Sequence, residues 1–301
     1  MLKKIRNLFK ESQINFMAYR KLAIYLSIFS MVFSIVLITF KGLNLGIDFA
    51  GGLLIEVKIQ DQNPNIDGFR EVLSNKFSDA VVQNTDSNTL LIKLPLQDQD
   101  QNSLVKSIQQ TIQQYFNSAD YQKIDYVGPQ VGSELVFKGL LALLLSFVFI
   151  LIYIAIRFDW QYGIGGIFAL IHDAIVTLGF FALTGIEFNL TSIAAILTII
   201  GYSINDSVVI YDRIRENIKK TPNINIINLI NTSINSTLSR TILTASTTLI
   251  SLLALILYGG DTLFSFSLAT FFGIAIGTYS SIYISAPILF YFDPRSNKKD
   301  L

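Results

Sequence analysis

Cysteine is absent from the 301 residues, and histidine occurs once. These absences exclude disulfides, thiolate clusters and any zinc site built from several Cys or His ligands. Charge is also scarce. Only 15% of the residues are Asp, Glu, Lys or Arg, against about 25% in an ordinary globular protein. The formal net charge is +1, so no basic excess points to nucleic acid. No P-loop, zinc-binding spacing or Ser-His-Asp order appears, so neither an enzyme nor a bound cofactor or metal is expected.

The charges that exist crowd into residues 1–21, 41–138 and 212–220 and the tail after Asp293. Long apolar runs lie between them. A membrane span needs about 20 mostly apolar residues to cross about 30 Å of hydrocarbon. Six segments qualify: 22–40, 139–156, 162–184, 190–211, 239–258 and 265–292. The first run ends in Lys41-Gly42 without an Ala-x-Ala-like cleavage site, and it reads as a retained helix. The expected organisation is a segment 1–21, a first span 22–40, a domain over 41–138, five spans within 139–292 and a tail 293–301. The lipid bilayer is the expected solvent of these six segments.

Orientation follows from the basic residues flanking the spans. Lys3, Lys4, Arg6, Lys10, Arg20 and Lys21 precede the first span, and Arg157 lies in the turn 157–161. Arg213, Arg215, Lys219 and Lys220 follow the fourth span, and Arg295, Lys298 and Lys299 follow the sixth. The connections 185–189 and 259–264 carry Glu187 and Asp261 and no basic residue. Both termini are therefore expected in the cytoplasm, with 42–138 on the opposite side of the membrane.

That domain mixes two periodicities. Residues 54–60 read as a strand with Ile55, Val57 and Ile59 on one face. Residues 67–77 read as a helix with Phe69, Val72, Leu73 and Phe77 on one side. Strands at 80–83 and 89–94 flank a turn at 84–88, and a second helix at 103–116 starts from Ser103 as N-cap. A last strand covers 123–127. The order β-α-β-β-α-β predicts a small α+β ferredoxin-like domain beside a bundle of six transmembrane helices. That fold names no function.

Ionisable groups inside spans cost about 2.5–3.5 kcal/mol on insertion scales and mark functional sites. Asn205-Asp206 interrupts the fourth span, about 10 Å deep at 1.5 Å per residue, with Tyr202 and Ser203 on the same helix face. A carboxyl group so placed can take and release a proton, or it can be a helix-end acid satisfied by its neighbours. Arg240 starts the fifth span and is a fixed positive charge, since Arg keeps its proton; snorkelling to the interface is the plainer alternative. His172-Asp173 lies midway along the third span, where proton relay and structural hydrogen bonding both remain open. Gly163, Gly165 and Gly166, and the pair Gly273 and Gly277, permit close helix approach. Thr237, Ser239, Thr241, Thr244, Ser246, Thr247, Thr248 and Ser251 make the fifth span rich in hydroxyls, which would wet a proton path or bond across helices.

Several blocks, in this order, resemble the SecF branch of the SecD/SecF family. They are Gly46-Ile47-Asp48-Phe49-Ala50-Gly51-Gly52, the stretch Val127 to Leu135 with Gly128, Pro129, Gly132 and Glu134, and Arg157-Phe158-Asp159-Trp160. His172-Asp173, the run Ile200 to Ser207, the run Asp212 to Asn217, and Ser239-Arg240-Thr241 complete the set. The resemblance covers nearly the whole chain. It implies a subunit of the proton-driven accessory Sec complex, within the resistance-nodulation-division superfamily, that assists late steps of preprotein translocation. It implies that Asp206 and Arg240 form the functional pair, with Asn205, His172 and Asp173 as lesser candidates. It further implies a heteromer with SecD, which holds the other essential carboxylate. The SecYEG channel, a YajC-like accessory subunit and unfolded preprotein would be the remaining partners. Half of a proton-driven small-molecule exporter and a passive scaffold are the competing expectations.

Overall fold

The computed structural model describes residues 13–61, 64–77, 80–86, 88–95, 101–116 and 118–295. Lys3, Lys4, Arg6, Lys10, Lys298 and Lys299, and Ser87 of the expected turn, lie outside the described residues. In chain order the elements are α1 (Arg20–Lys41), a short α2 (Ile47–Ala50), β1 (Gly52–Ile59), α3 (Ile66–Lys76), β2 (Val81–Asp86), β3 (Thr89–Leu94), α4 (Gln101–Tyr115) and β4 (Ala119–Val127). The long helices α5 (Pro129–Arg157), α6 (Trp160–Thr184), α7 (Leu190–Lys220), α8 (Ile226–Tyr258) and α9 (Gly260–Ser280) follow, and a short α10 (Ala286–Ile288) ends the series.

Two units form. Residues Leu45–Leu141 and Glu187–Leu190 make an α+β unit, and Met1–Asn44, Ala142–Ile186 and Thr191–Leu301 make a helical unit. In the first, four strands pair antiparallel in the order β2-β3-β1-β4, the arrangement of a split βαβ domain. Alternation in β1 puts Leu53, Ile55, Val57 and Ile59 into one core with Leu90, Ile92 and Leu94 of β3. Phe69, Leu73 and Phe77 cover it from α3, and Leu104, Ile108, Ile112 and Phe116 from α4. Val72, expected on that stripe, is exposed: the buried positions recur every four residues, and Val72 lies one residue off that row. Ser103 does not cap α4, because the helix already begins at Gln101. Gly52 is required where β1 starts. Its φ is +137°, and a Cβ there would lie 2.3 Å from the Leu94 carbonyl oxygen.

Among the described residues, six helices are long and apolar enough to cross a membrane. The second begins at Pro129, ten residues before the apolar run; proline at a first helical position loses no hydrogen bond there. The residues from Ile226 to the start of the fifth span are helical and continuous with it, so α8 is one helix of 33 residues. Its early turns hold the chain that precedes α1. Asn235 Oδ1 accepts from Ile14 N–H and Asn231 Oδ1 from Met17 N–H, each at 3.0 Å, and Asn235 Nδ2 returns a bond to the Ile14 carbonyl. The sixth span is not uniform. Ser281–Ser285 is a π-helical turn, with Ala286 N–H bonded to the Ser281 carbonyl. Pro287 lies just beyond; its ring would collide with a carbonyl four residues back in a regular helix, and the wider turn relieves this.

Candidate functional site

α6 and α7 are the most enclosed of the six helices: 56% and 50% of their apolar windows are buried, against 11–39% for the others. They carry His172, Asp173, Asn205 and Asp206. Asp173 is fully buried, and His172 is 2% exposed. His172 Nδ1 lies 3.0 Å from Asp173 Oδ1, and its Nε2 lies 3.3 Å from Ser30 Oγ of α1. Asp173 Oδ2 accepts from Ser203 Oγ of α7 at 2.6 Å and from Ser280 Oγ of α9 at 2.7 Å. One carboxylate thus ties together helices that are far apart in sequence. Hydrogen bonds formed away from water are stronger than the same bonds at the surface.

Small residues make the approach feasible. A Cβ on Gly277 would lie 3.1 Å from Ser203 Cβ and 3.6 Å from Asp173 Oδ2. One on Gly273 would lie 2.2 Å from Ile199 Cδ1. The Gly273/Gly277 face therefore packs α9 against α7. On α6, a Cβ at Gly165 would lie 2.5 Å from the Ser285 carbonyl oxygen. Tyr211, fully buried on α7, bonds Ser285 Oγ at 2.5 Å within the π-turn.

Asp206 is arranged differently. Its side chain is 2% exposed, and Oδ2 has no hydrogen-bond partner among the described residues. Ser207 Oγ and Tyr202 OH, on the same helix, are likewise buried and unpartnered among the described residues. Buried polar atoms are nearly always paired, and exceptions call for a function or a water. Arg240 is exposed on α8 and acts on Asp206 electrostatically, yet the two make no ion pair within 4.0 Å among the described residues. Asn205 is exposed, on a different face from Asp206.

Several hydroxyls of the fifth span turn inward on their own helix. Thr237 bonds the Ser233 carbonyl, Thr244 that of Arg240, Thr248 that of Thr244 and Ser251 that of Thr247. For these residues, back-bonding replaces the bonds across helices that composition allowed. Sequence reasoning missed Ser30 and Ser280 as partners of the buried pair. The available signal was small polar residues inside apolar runs: Ser280, Ser281 and Ser285 recur just before Pro287.

Comparison with known proteins decides the family. The profile of the "Protein export membrane protein SecD/SecF, C-terminal" family matches residues 107–295, and that of the "SecD/SecF GG Motif" matches residues 36–62. "Protein translocase subunit SecF" of Rickettsia bellii is 49% identical over 95% of this chain and 94% of its own length. The protein of the same name from Rickettsia prowazekii is 48% identical over 95% of this chain and 93% of its own. The chain belongs to the SecF family. A crystal structure of SecDF, described as a translocon-associated membrane protein from Thermus thermophilus, superposes with a TM-score of 0.84 at 36% identity. It covers 94% of this chain, which spans only 39% of that longer one. A SecDF crystal structure in a "Super-membrane-facing form" gives 0.72, covering 96% of this chain and 40% of that one. This SecF-family chain is accordingly a multi-pass membrane protein and a translocase subunit rather than an enzyme.

Proposed function

We propose that this SecF-family chain couples proton movement across the bacterial inner membrane to late steps of preprotein translocation. Asp206 takes up and gives off the proton. Arg240 is the fixed positive charge that responds to the state of Asp206, and Asn205 is a lesser contributor. His172 and Asp173 hold the helices around Asp206 rather than carry the proton. SecD is the partner that completes the relay, and SecYEG, a YajC-like subunit and the emerging preprotein are the neighbours. In this reading both termini lie in the cytoplasm and the α+β unit in the periplasm, which the basic connections support.

One observation carries this reading. Asp206 is buried in a span with a carboxyl oxygen that is unpartnered among the described residues. An intramembrane acid without fixed partners is free to change its charge, whereas Asp173, accepting from two serine hydroxyls and contacting His172, is committed. The domain of under a hundred residues between the first two spans favours this over a small-molecule exporter, whose outer domains are large.

Proton flux into liposomes holding this chain with SecD tests the proposal. An imposed pH gradient is expected to drive flux through the wild-type pair, and Asp206→Asn is expected to remove it. A passive scaffold gives no flux in either case, and that result would contradict the proposal.

A further inference from the structure

The Gly46 to Gly52 block has no part in the proton step, yet it is densely bonded. Gly46 N–H donates to the Phe188 carbonyl at 2.9 Å, and Leu45 forms a parallel bridge with Phe188. The rings of Phe49 and Phe188 lie 5.7 Å apart. Asp48 Oδ2 accepts from the N–H of Leu190, the first residue of α7, at 3.0 Å. From β3, Lys93 forms an ion pair with Glu187, and both side chains are largely buried at 18% and 21% exposure. Burial pushes the Lys93 ammonium below its ordinary range, so this pair is not a loose surface contact. Gly46 is closely covered: a Cβ there would lie 2.5 Å from Glu187 Oε1, which that flexible side chain could yield.

These bonds explain why Glu187–Leu190 packs with the α+β unit while α7 from Thr191 onward packs with the helical unit. The chain crosses from one unit to the other within the first turn of a regular helix. That helix carries Asp206, sixteen residues further on, or about 24 Å at 1.5 Å per residue. A carboxylate at a helix start also meets the positive end of the helix dipole.

We propose that Asp48 is a positioning residue that fastens the first turn of α7 to the α+β unit, with Lys93–Glu187 as a second tie. A shift of α7 is thereby handed to the sheet. This role rests on the proton-coupled function proposed above and names the path by which the α+β unit receives the motion.

The test compares full-length wild type, Asp48→Ala, Asp48→Asn and Asp206→Asn in membrane vesicles carrying the complete export machinery. Two quantities are read: hydrogen exchange at the Leu190 amide, and preprotein release driven by a proton gradient. Asp48→Ala is expected to raise Leu190 exchange about tenfold, the effect of losing a helix-start acceptor, and to lower release. Asp48→Asn keeps an acceptor oxygen and is expected to stay near wild type in both. Asp206→Asn is expected to lose release with Leu190 exchange unchanged. The role is overturned if Asp48→Ala leaves Leu190 exchange unchanged, or if it releases preprotein at the wild-type rate while Asp206→Asn does not. If Asp206→Asn itself releases normally, the proposed function fails and this role with it. Should Asp48→Ala also expose the amides of β1 and β3, showing general unfolding, the exchanged pair Lys93→Glu with Glu187→Lys decides. Loss of release in each single variant with recovery in the double supports the tie, and normal release in the singles overturns it.

Discussion

Asp206→Asn is expected to abolish preprotein release that depends on the proton gradient, while the helical unit stays folded. The substitution preserves shape and removes the only charge change that the side chain can make. Its structural cost is small for a specific reason: Oδ2 has no partner among the described residues, so no bond seen there is broken. Release should fall to the rate seen when a protonophore collapses the gradient, and the residual rate should be insensitive to the protonophore. Elution as a single monodisperse species would separate this from misfolding. A variant that kept its sensitivity to the gradient would place the ionisable group elsewhere.

The second large effect concerns stability. Asp173→Ala is expected to destabilise the helical unit by about 1–3 kcal/mol, the usual cost of leaving buried polar groups without their partner. The loss removes the carboxyl group on which His172 Nδ1, Ser203 Oγ and Ser280 Oγ converge; the two hydroxyls keep a mutual contact at 3.4 Å, and Ser280 keeps the Gly277 carbonyl. Against a total stability of about 5–15 kcal/mol, that is a large fraction. Thermal unfolding in mild detergent reads it directly. Asp173→Asn can keep its oxygen on the two serine hydroxyls and turns its amide N–H toward His172 Nδ1, which accepts it only in the tautomer with Nδ1 unprotonated, so an intermediate melting point is expected. If Asp173→Ala melted with the wild type, the network would be ornamental, and the separation of roles between Asp173 and Asp206 would lose its basis.

The sequence made the α+β unit legible because each of its elements has one buried face. Ile55, Val57 and Ile59 alternate, and Phe69, Leu73 and Phe77 repeat every four residues, so period alone assigns strand and helix. Val72 shows the limit of that argument: periodicity bounds a stripe loosely and does not place its edge. Helix ends were harder. Ser103 has the chemistry of a cap, but α4 starts at Gln101, and local preference does not fix a start when the neighbouring residues also tolerate helix. In the membrane, the apolar runs gave the number of spans and the charges marked Asp206, Arg240 and His172-Asp173. The partners of those groups were invisible. Ser30, Ser203 and Ser280 meet His172 and Asp173 only through tertiary packing that brings three other helices to α6. Hydroxyls in the fifth span were equally ambiguous, because a threonine that bonds its own helix looks the same in sequence as one that bonds a neighbour. The π-turn at Ser281–Ser285 had a visible cause in Pro287, but the choice between a kink and a wider turn depends on what the freed groups meet.

The central claim is that the carboxyl of Asp206 changes its protonation as the protein works. Difference infrared spectroscopy on the chain reconstituted with SecD measures this directly. Imposing a proton gradient should produce a carboxylic-acid band that is absent from Asp206→Asn and retained in Asp48→Ala. An identical band in Asp206→Asn, or no band in the wild type, would contradict the account.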